Sequence, residues 1–309
     1  MHDITILDGG MGKELRRIGA PFRQPEWSSL ALIEAPEAVV RAHRNFIDAG
    51  ATVITTNNYA VVPYHHDDDF FARRGIELTD LAGRLAREAA DGADHEVLVA
   101  GSMPPLFGSY EPDAFDVDRG SPLYRDIAGA LHQHVDLWLA ETLSSIAEMD
   151  AVLDALDAIG ADGPVWIAFT LPESWAAEGI ALRSGETPSR IVDAIARRGD
   201  RVDAVLFNCS LPEQTGPALV ELRGGLAEIG STVRTGAYAN AFPASREDGY
   251  SARSVVFERR SELTAERYAD FVAGWVDDGA TIVGGCCDMY PEHIAALAAR
   301  FAPTPPPPA

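Results

Sequence analysis

Three residues of the 309 carry a thiol, and two of them are adjacent. Cys286 and Cys287 stand in Gly284-Gly285-Cys286-Cys287-Asp288, after the apolar run Ala280-Thr281-Ile282-Val283; Cys209 lies far upstream, at the end of Val205-Leu206-Phe207-Asn208-Cys209. Thiolates are soft donors suited to zinc, and a tetrahedral site that keeps one position open uses three protein ligands. The usual Cys-x-x-Cys spacing is absent, which speaks against a zinc finger or ribbon. A three-thiolate zinc with an open position would hold a substrate thiol as a nucleophilic thiolate at neutral pH, ready to attack an electrophilic methyl group. The pattern therefore suggests alkyl transfer to sulfur. Two alternatives stay open: free cysteines packed as small apolar side chains, and a strained vicinal disulfide between Cys286 and Cys287.

Such a site requires elements that bring Cys209 together with Cys286 and Cys287. Short apolar runs alternate with helical patterns along the chain. Strands are predicted at 4–7, 52–56, 96–100, 136–140, 165–169, 202–207, 232–236 and 281–283. Helices are predicted at 36–49, 77–90, 123–134, 146–159, 189–197, 217–229, 266–277 and 292–301. Eight such units without a linker read as a single α/β domain, a (β/α)8 TIM barrel of parallel strands covering residues 1–302, with an open doubly wound sheet as the alternative. Residues 303–309, rich in proline, read as a disordered tail. Chemistry in a barrel sits at the C-terminal strand ends. Asp8, Thr55, Asn57, Ser102, Glu141, Asn208, Cys209, Cys286 and Cys287 all fall at such ends. For the adjacent cysteines to share one metal, the backbone must turn sharply, and Gly284-Gly285 are the residues expected to permit it.

Composition narrows the partners. The formal net charge is −22, with no basic run and one lysine, Lys13; this argues against nucleic acid or an anionic membrane surface as partner. No apolar stretch of about 18 residues is present, the cysteines are too few for a disulfide framework, and the N-terminus enters an apolar strand directly. A reducing, cytoplasmic setting is expected, and a homo-oligomer is left open.

Together these residues resemble the zinc-dependent homocysteine S-methyltransferases, the family that includes S-methylmethionine-dependent and betaine-dependent enzymes. The resemblance rests on Leu7-Asp8-Gly9-Gly10-Met11-Gly12, on Ala49-Gly50-Ala51-Thr52-Val53-Ile54-Thr55-Thr56-Asn57, on Glu141-Thr142-Leu143, and above all on Asn208-Cys209 followed by Gly284-Gly285-Cys286-Cys287. It implies a (β/α)8 barrel, a zinc ion held by Cys209, Cys286 and Cys287, and homocysteine as a substrate whose sulfur joins the zinc and whose ammonium group meets Asp8 and Glu141. Thr55, Asn57, Ser102 and Asn208 are the further substrate-binding candidates. The three glycines at 9, 10 and 12 are expected to let the backbone approach the substrate.

The methyl donors of the family are sulfonium or quaternary ammonium compounds, and aromatic faces attract such cations. Trp27 and Tyr59 lie where the family carries aromatic residues near the donor; Phe107, Tyr110 and Trp175 are further candidates. Folate or cobalamin as direct partner is not expected, since one barrel consumes the chain, although a separate corrinoid protein stays open as methyl source. His65-His66 beside Asp67-Asp68-Asp69 read as a solvated loop, with a second metal site as the alternative. After the seventh strand, Tyr238-Ala239-Asn240 departs from the family's Tyr-Pro-Asn.

Overall fold

The eight apolar runs pair as eight parallel strands in a computed structural model that describes residues 4–173, 179–243 and 259–301. They are β1 (Thr5–Ile6), β2 (Val53–Thr55), β3 (Leu98–Met103), β4 (Leu137–Leu143), β5 (Val165–Phe169), β6 (Ala204–Asn208), β7 (Arg234–Tyr238) and β8 (Ile282–Val283). One continuous ladder runs from β2 through β8 to β1. The ring is completed where Leu7 bridges Val53, with the Asp8 N–H donating to the Val53 carbonyl at 3.0 Å and the Thr52 N–H to the Ile6 carbonyl at 2.8 Å. First and last strands are therefore neighbours, which excludes the open sheet and establishes the (β/α)8 barrel.

The covering helices are α1 (Pro36–Asp48), α2 (Ile76–Asp91), α3 (Val117–Leu131), α4 (Ile146–Ala158), α5 (Pro188–Arg198), α6 (Pro212–Glu228), α7 (Ala265–Asp277) and α8 (Pro291–Phe301). Strand residues alternate between two cores. In β4, Leu137 and Leu139 belong to the cluster inside the barrel, whereas Trp138 and Ala140 pack with helix residues such as Phe46 and Leu131 in the outer one. With both faces covered, a strand needs no polar alternation, which explains the unbroken apolar runs in the sequence.

Two helices start earlier than their sequence pattern suggests, for one reason. α3 contains Pro122 and α6 contains Pro217. A proline near a helical pattern reads as a boundary, yet here each lies inside, after the start has been secured by other groups. The Asp116 carboxylate caps α3 by accepting from the N–H groups of Asp118 and Arg119 at 3.0 and 3.1 Å. Gln214 reaches back to the Leu211 N–H at 2.9 Å to secure the start of α6. Two short helices, Met11–Arg17 and Ser29–Glu34, occupy the connection from β1 to α1, where no element was predicted. The Pro-rich tail and Trp175 lie outside the described residues, as do positions 244–258 of the segment after β7.

Candidate metal and substrate site

The thiols meet at one mouth of the barrel. Cys209 follows β6, and Cys286 and Cys287 follow β8; all three are free, and their sulfur atoms lie within 4.8 Å of one another. Cys209 Sγ is 3.7 Å from Cys287 Sγ. Tetrahedral zinc with sulfur ligands at about 2.3 Å sets neighbouring sulfurs about 3.8 Å apart, so the spacing fits such an ion. Hydrogen bonding to Cys209, with burial behind it, holds the thiols of Cys286 and Cys287 well above their ordinary pKa. Three clustered thiols resist ionising together, and a divalent cation among them reverses that preference.

A seam of close backbone contacts builds this arrangement. The Gly285 N–H donates to the Asp8 carbonyl at 2.9 Å and the Gly10 N–H to the Met289 carbonyl at 2.8 Å. A Cβ on Gly10 would stand 2.7 Å from the Cys286 carbonyl oxygen, and one on Gly284 would stand 2.5 Å from Leu7 Cβ. The expected role of Gly284-Gly285 is corrected here: neither has a positive φ, and the left-handed residue of the turn is Asp288, at φ 63°. Gly9 and Gly10 do border the cavity, but the contact that requires them is with the cysteine turn.

Beside the sulfurs stand Asp8 and Glu141, both on the wall of a cavity of about 160 Å³. Asp8 accepts from the Thr55 N–H at 2.8 Å and from the Thr55 hydroxyl at 3.2 Å. Glu141 accepts from the Ser102 hydroxyl at 2.6 Å. Burial pushes the Asp8 carboxyl up to about 7, against the opposing pull of its bonds from Thr55. Burial likewise pushes Glu141 up to about 8, and the charge of Asp8 adds to the rise. Two desolvated carboxyls with few donors of their own are a chemistry that suits a cationic group.

Of the other polar candidates, Thr55 and Asn57 line the cavity, whereas Ser102 and Asn208 stand behind it. Asn208 accepts from the Thr142 N–H at 2.9 Å and donates to the Thr142 hydroxyl at 2.8 Å. It thereby holds Thr142 at φ 59°, next to Glu141. Residues in this region of backbone space carry strain, and such strain gathers where surrounding structure fixes a site. Among the described residues, the five non-glycine residues with positive φ, Trp27, Tyr110, Thr142, Cys209 and Asp288, lie at or beside this mouth.

Trp27, Tyr59 and Tyr110 line the cavity, and the Arg183 guanidinium lies over the Tyr110 ring at 4.5 Å. The Tyr59 hydroxyl bonds Ser109 Oγ at 2.7 Å, and the Tyr110 hydroxyl lies 2.9 Å from Cys209 Sγ. Phe107 does not border it; its ring lies under the Arg119 guanidinium at 4.6 Å. Tyr238 and Phe242 also line the cavity and were not among the sequence candidates. Tyr238 ends β7, so the strand-end rule could have found it, and its buried hydroxyl has no hydrogen-bond partner among the described residues. The two adjacent histidines diverge: His65 Nδ1 meets the Pro25 carbonyl at 2.9 Å, and His66 Nε2 meets Ser29 Oγ at 2.9 Å. They do not form a shared metal site.

The homocysteine S-methyltransferase family model matches residues 5–301. A homocysteine S-methyltransferase of Escherichia coli (strain K12) is 32% identical, over 97% of this chain and 96% of the relative. A selenocysteine methyltransferase of Astragalus bisulcatus is 27% identical, over 95% of this chain and 91% of the relative. Among solved structures, the metallated form of the homocysteine methyltransferase MmuM from Escherichia coli aligns with a TM-score of 0.76 at 28% identity, covering 96% of each chain.

Proposed function

Because the chain belongs to the homocysteine S-methyltransferase family, we propose that it transfers a methyl group from a sulfonium or quaternary ammonium donor to the thiol of homocysteine, giving methionine. The observation that carries this reading is the convergence of three sulfurs beside two buried carboxyls in one cavity. We assign Cys209, Cys286 and Cys287 as ligands of a zinc ion, which when bound supplies the positive charge that keeps a substrate thiol ionised at neutral pH.

The protein's own groups account for orientation. Asp8 and Glu141 receive the substrate ammonium through charge-assisted bonds, and that cation favours the ionised carboxylates that burial alone opposes. Thr55 and Ser102 keep the two carboxyls in place. The rings of Trp27 and Tyr59 attract the cationic donor, and the apolar wall excludes water from the path between donor and acceptor. The acceptor sulfur attacks the methyl carbon in line. A new S–C bond forms as the donor's C–S or C–N bond breaks, and the departing electron pair leaves a neutral thioether or tertiary amine.

The test combines metal analysis with methionine formation from S-methylmethionine, S-adenosylmethionine and betaine. We expect zinc in the purified protein and turnover with at least one donor. Cys286→Ala should lose metal and turnover together, and full turnover by a metal-free Cys286→Ala protein would falsify the reading. The similarity to a selenocysteine methyltransferase favours a selenol as a second acceptor, because a selenol can enter the same position as a thiol. Competition between homocysteine and selenocysteine measures that preference.

A further inference from the structure

The cysteine turn is tied to the start of the chain by its only lysine. Lys13 Nζ lies 3.0 Å from Asp288 Oδ1 and 3.1 Å from Oδ2, a contact spanning 275 positions of sequence. Asp288, next to Cys287, is 1% exposed, and its Oδ1 also accepts from the Tyr290 hydroxyl at 3.2 Å. Its backbone sits at φ 63°, in the left-handed region that residues with a Cβ generally avoid. The turn closes with the Met289 N–H on the Cys286 carbonyl at 3.1 Å.

These features depend on one another. A carboxylate buried this deeply requires a partner, and removing one member of a buried ion pair is far more disruptive than removing an exposed one. The Lys13 ammonium thus favours the buried placement of Asp288, and with it the left-handed turn that follows two cysteines directed at one point. Residue choice points the same way. All other basic residues of the chain are arginine, yet this niche holds lysine, whose compact ammonium meets both carboxylate oxygens without the width of a planar guanidinium. The charges of the pair cancel, so no net positive charge is left to repel a metal cation beside it.

We propose that Lys13 is a positioning residue for the metal site: through Asp288 it fixes the turn that aims Cys286 and Cys287 at Cys209. This rests on the metal assignment above, and the experiment separates the two. The dissociation constant for zinc is measured by competition with a chromophoric chelator for the unaltered protein, Lys13→Met, Lys13→Arg, Asp288→Asn and the Lys13→Met/Asp288→Asn pair. Melting of each metal-free protein is followed in parallel. If the unaltered protein binds no zinc, the metal assignment itself fails.

If it does bind, each single change is expected to weaken zinc about 10–100-fold, the range typical of groups that orient metal ligands. Lys13→Arg should restore little, and the double change should cost less than the product of the single ones. In the cobalt-substituted proteins, the absorption bands that report coordination geometry should shift. Zinc affinity and cobalt spectra unchanged in variants whose metal-free melting falls would overturn the proposal, leaving the pair a purely stabilising contact. Should Lys13→Met fail to fold, Asp288→Asn, which keeps the side-chain shape, carries the same comparison.

Discussion

Asp8 and Glu141 illustrate how burial builds a preference for a cationic partner into a site. Ordinary carboxyls of these types ionise near 3.8 and 4.5, whereas burial moves these two to about 7 and 8. Between those limits the folded protein holds protons that the unfolded chain has released, so raising the pH through this window lowers the stability of the protein without a bound ammonium. A bound ammonium opposes the shift and drives the protons off. Methionine, which carries the ammonium but no thiol, should therefore bind with proton release at pH 6–7. Calorimetric titration in buffers of different ionisation heat measures the release, and Glu141→Gln should diminish it while weakening methionine about 10-fold or more, as expected for a lost charge-assisted bond. An unchanged proton count and affinity in Glu141→Gln would show that another group receives the ammonium. The residue types for this chemistry were legible in the sequence because they stand at strand ends. Tyr238 passed unnoticed among them because a tyrosine at the end of an apolar run also reads as core.

At the scale of elements, the site depends on how closely β1 and its following loop approach the loop after β8. Gly10 shows this in isolation: its φ of −72° is open to any residue, so only contact forbids a side chain there. Its Cβ would meet the Cys286 carbonyl oxygen and, at 3.0 Å, the Asp288 nitrogen, both backbone atoms with little freedom to yield. Gly10→Ala should destabilise the fold by about 1–3 kcal/mol, the usual cost of overpacking, and lower zinc occupancy. Thermal melting and metal content check the two effects, and a variant with normal melting and full occupancy would mean that the seam has slack. Periodicity revealed every strand and helix of the barrel, because burial on both faces of a strand and on one stripe of a helix leaves a regular record. It did not reveal Met11–Arg17 and Ser29–Glu34, whose lengths of 7 and 6 residues are too short for a stripe. Nor did it reveal the pairing of Lys13 with Asp288, since contact across the closing seam of a barrel has no local signature.

At the scale of the molecule, barrel closure brings residues 5–13 against residues 282–290, and the chain as a whole carries a formal net charge of −22. Some of the ion pairs on the surface, such as Arg74 with Glu77 and Arg300 with Asp270, are exposed on both sides. Each contributes about 0–1 kcal/mol. The unbalanced negative charge acts over a longer range, attracting cations to the molecule until salt shortens that range to about 10 Å at 0.1 M. On the proposed reaction this distinguishes the donors. S-Methylmethionine and S-adenosylmethionine carry net positive charge at neutral pH, whereas betaine carries none. Raising sodium chloride from 0.02 to 0.5 M should lower kcat/KM for a net-cationic donor several-fold through KM, with kcat nearly constant, and should leave a net-neutral donor little changed. Initial rates across that salt series for each active donor make the comparison. Equal salt dependence for cationic and neutral donors would mean that capture relies on the aromatic walls of the cavity alone, with the field of the whole molecule contributing nothing to selection.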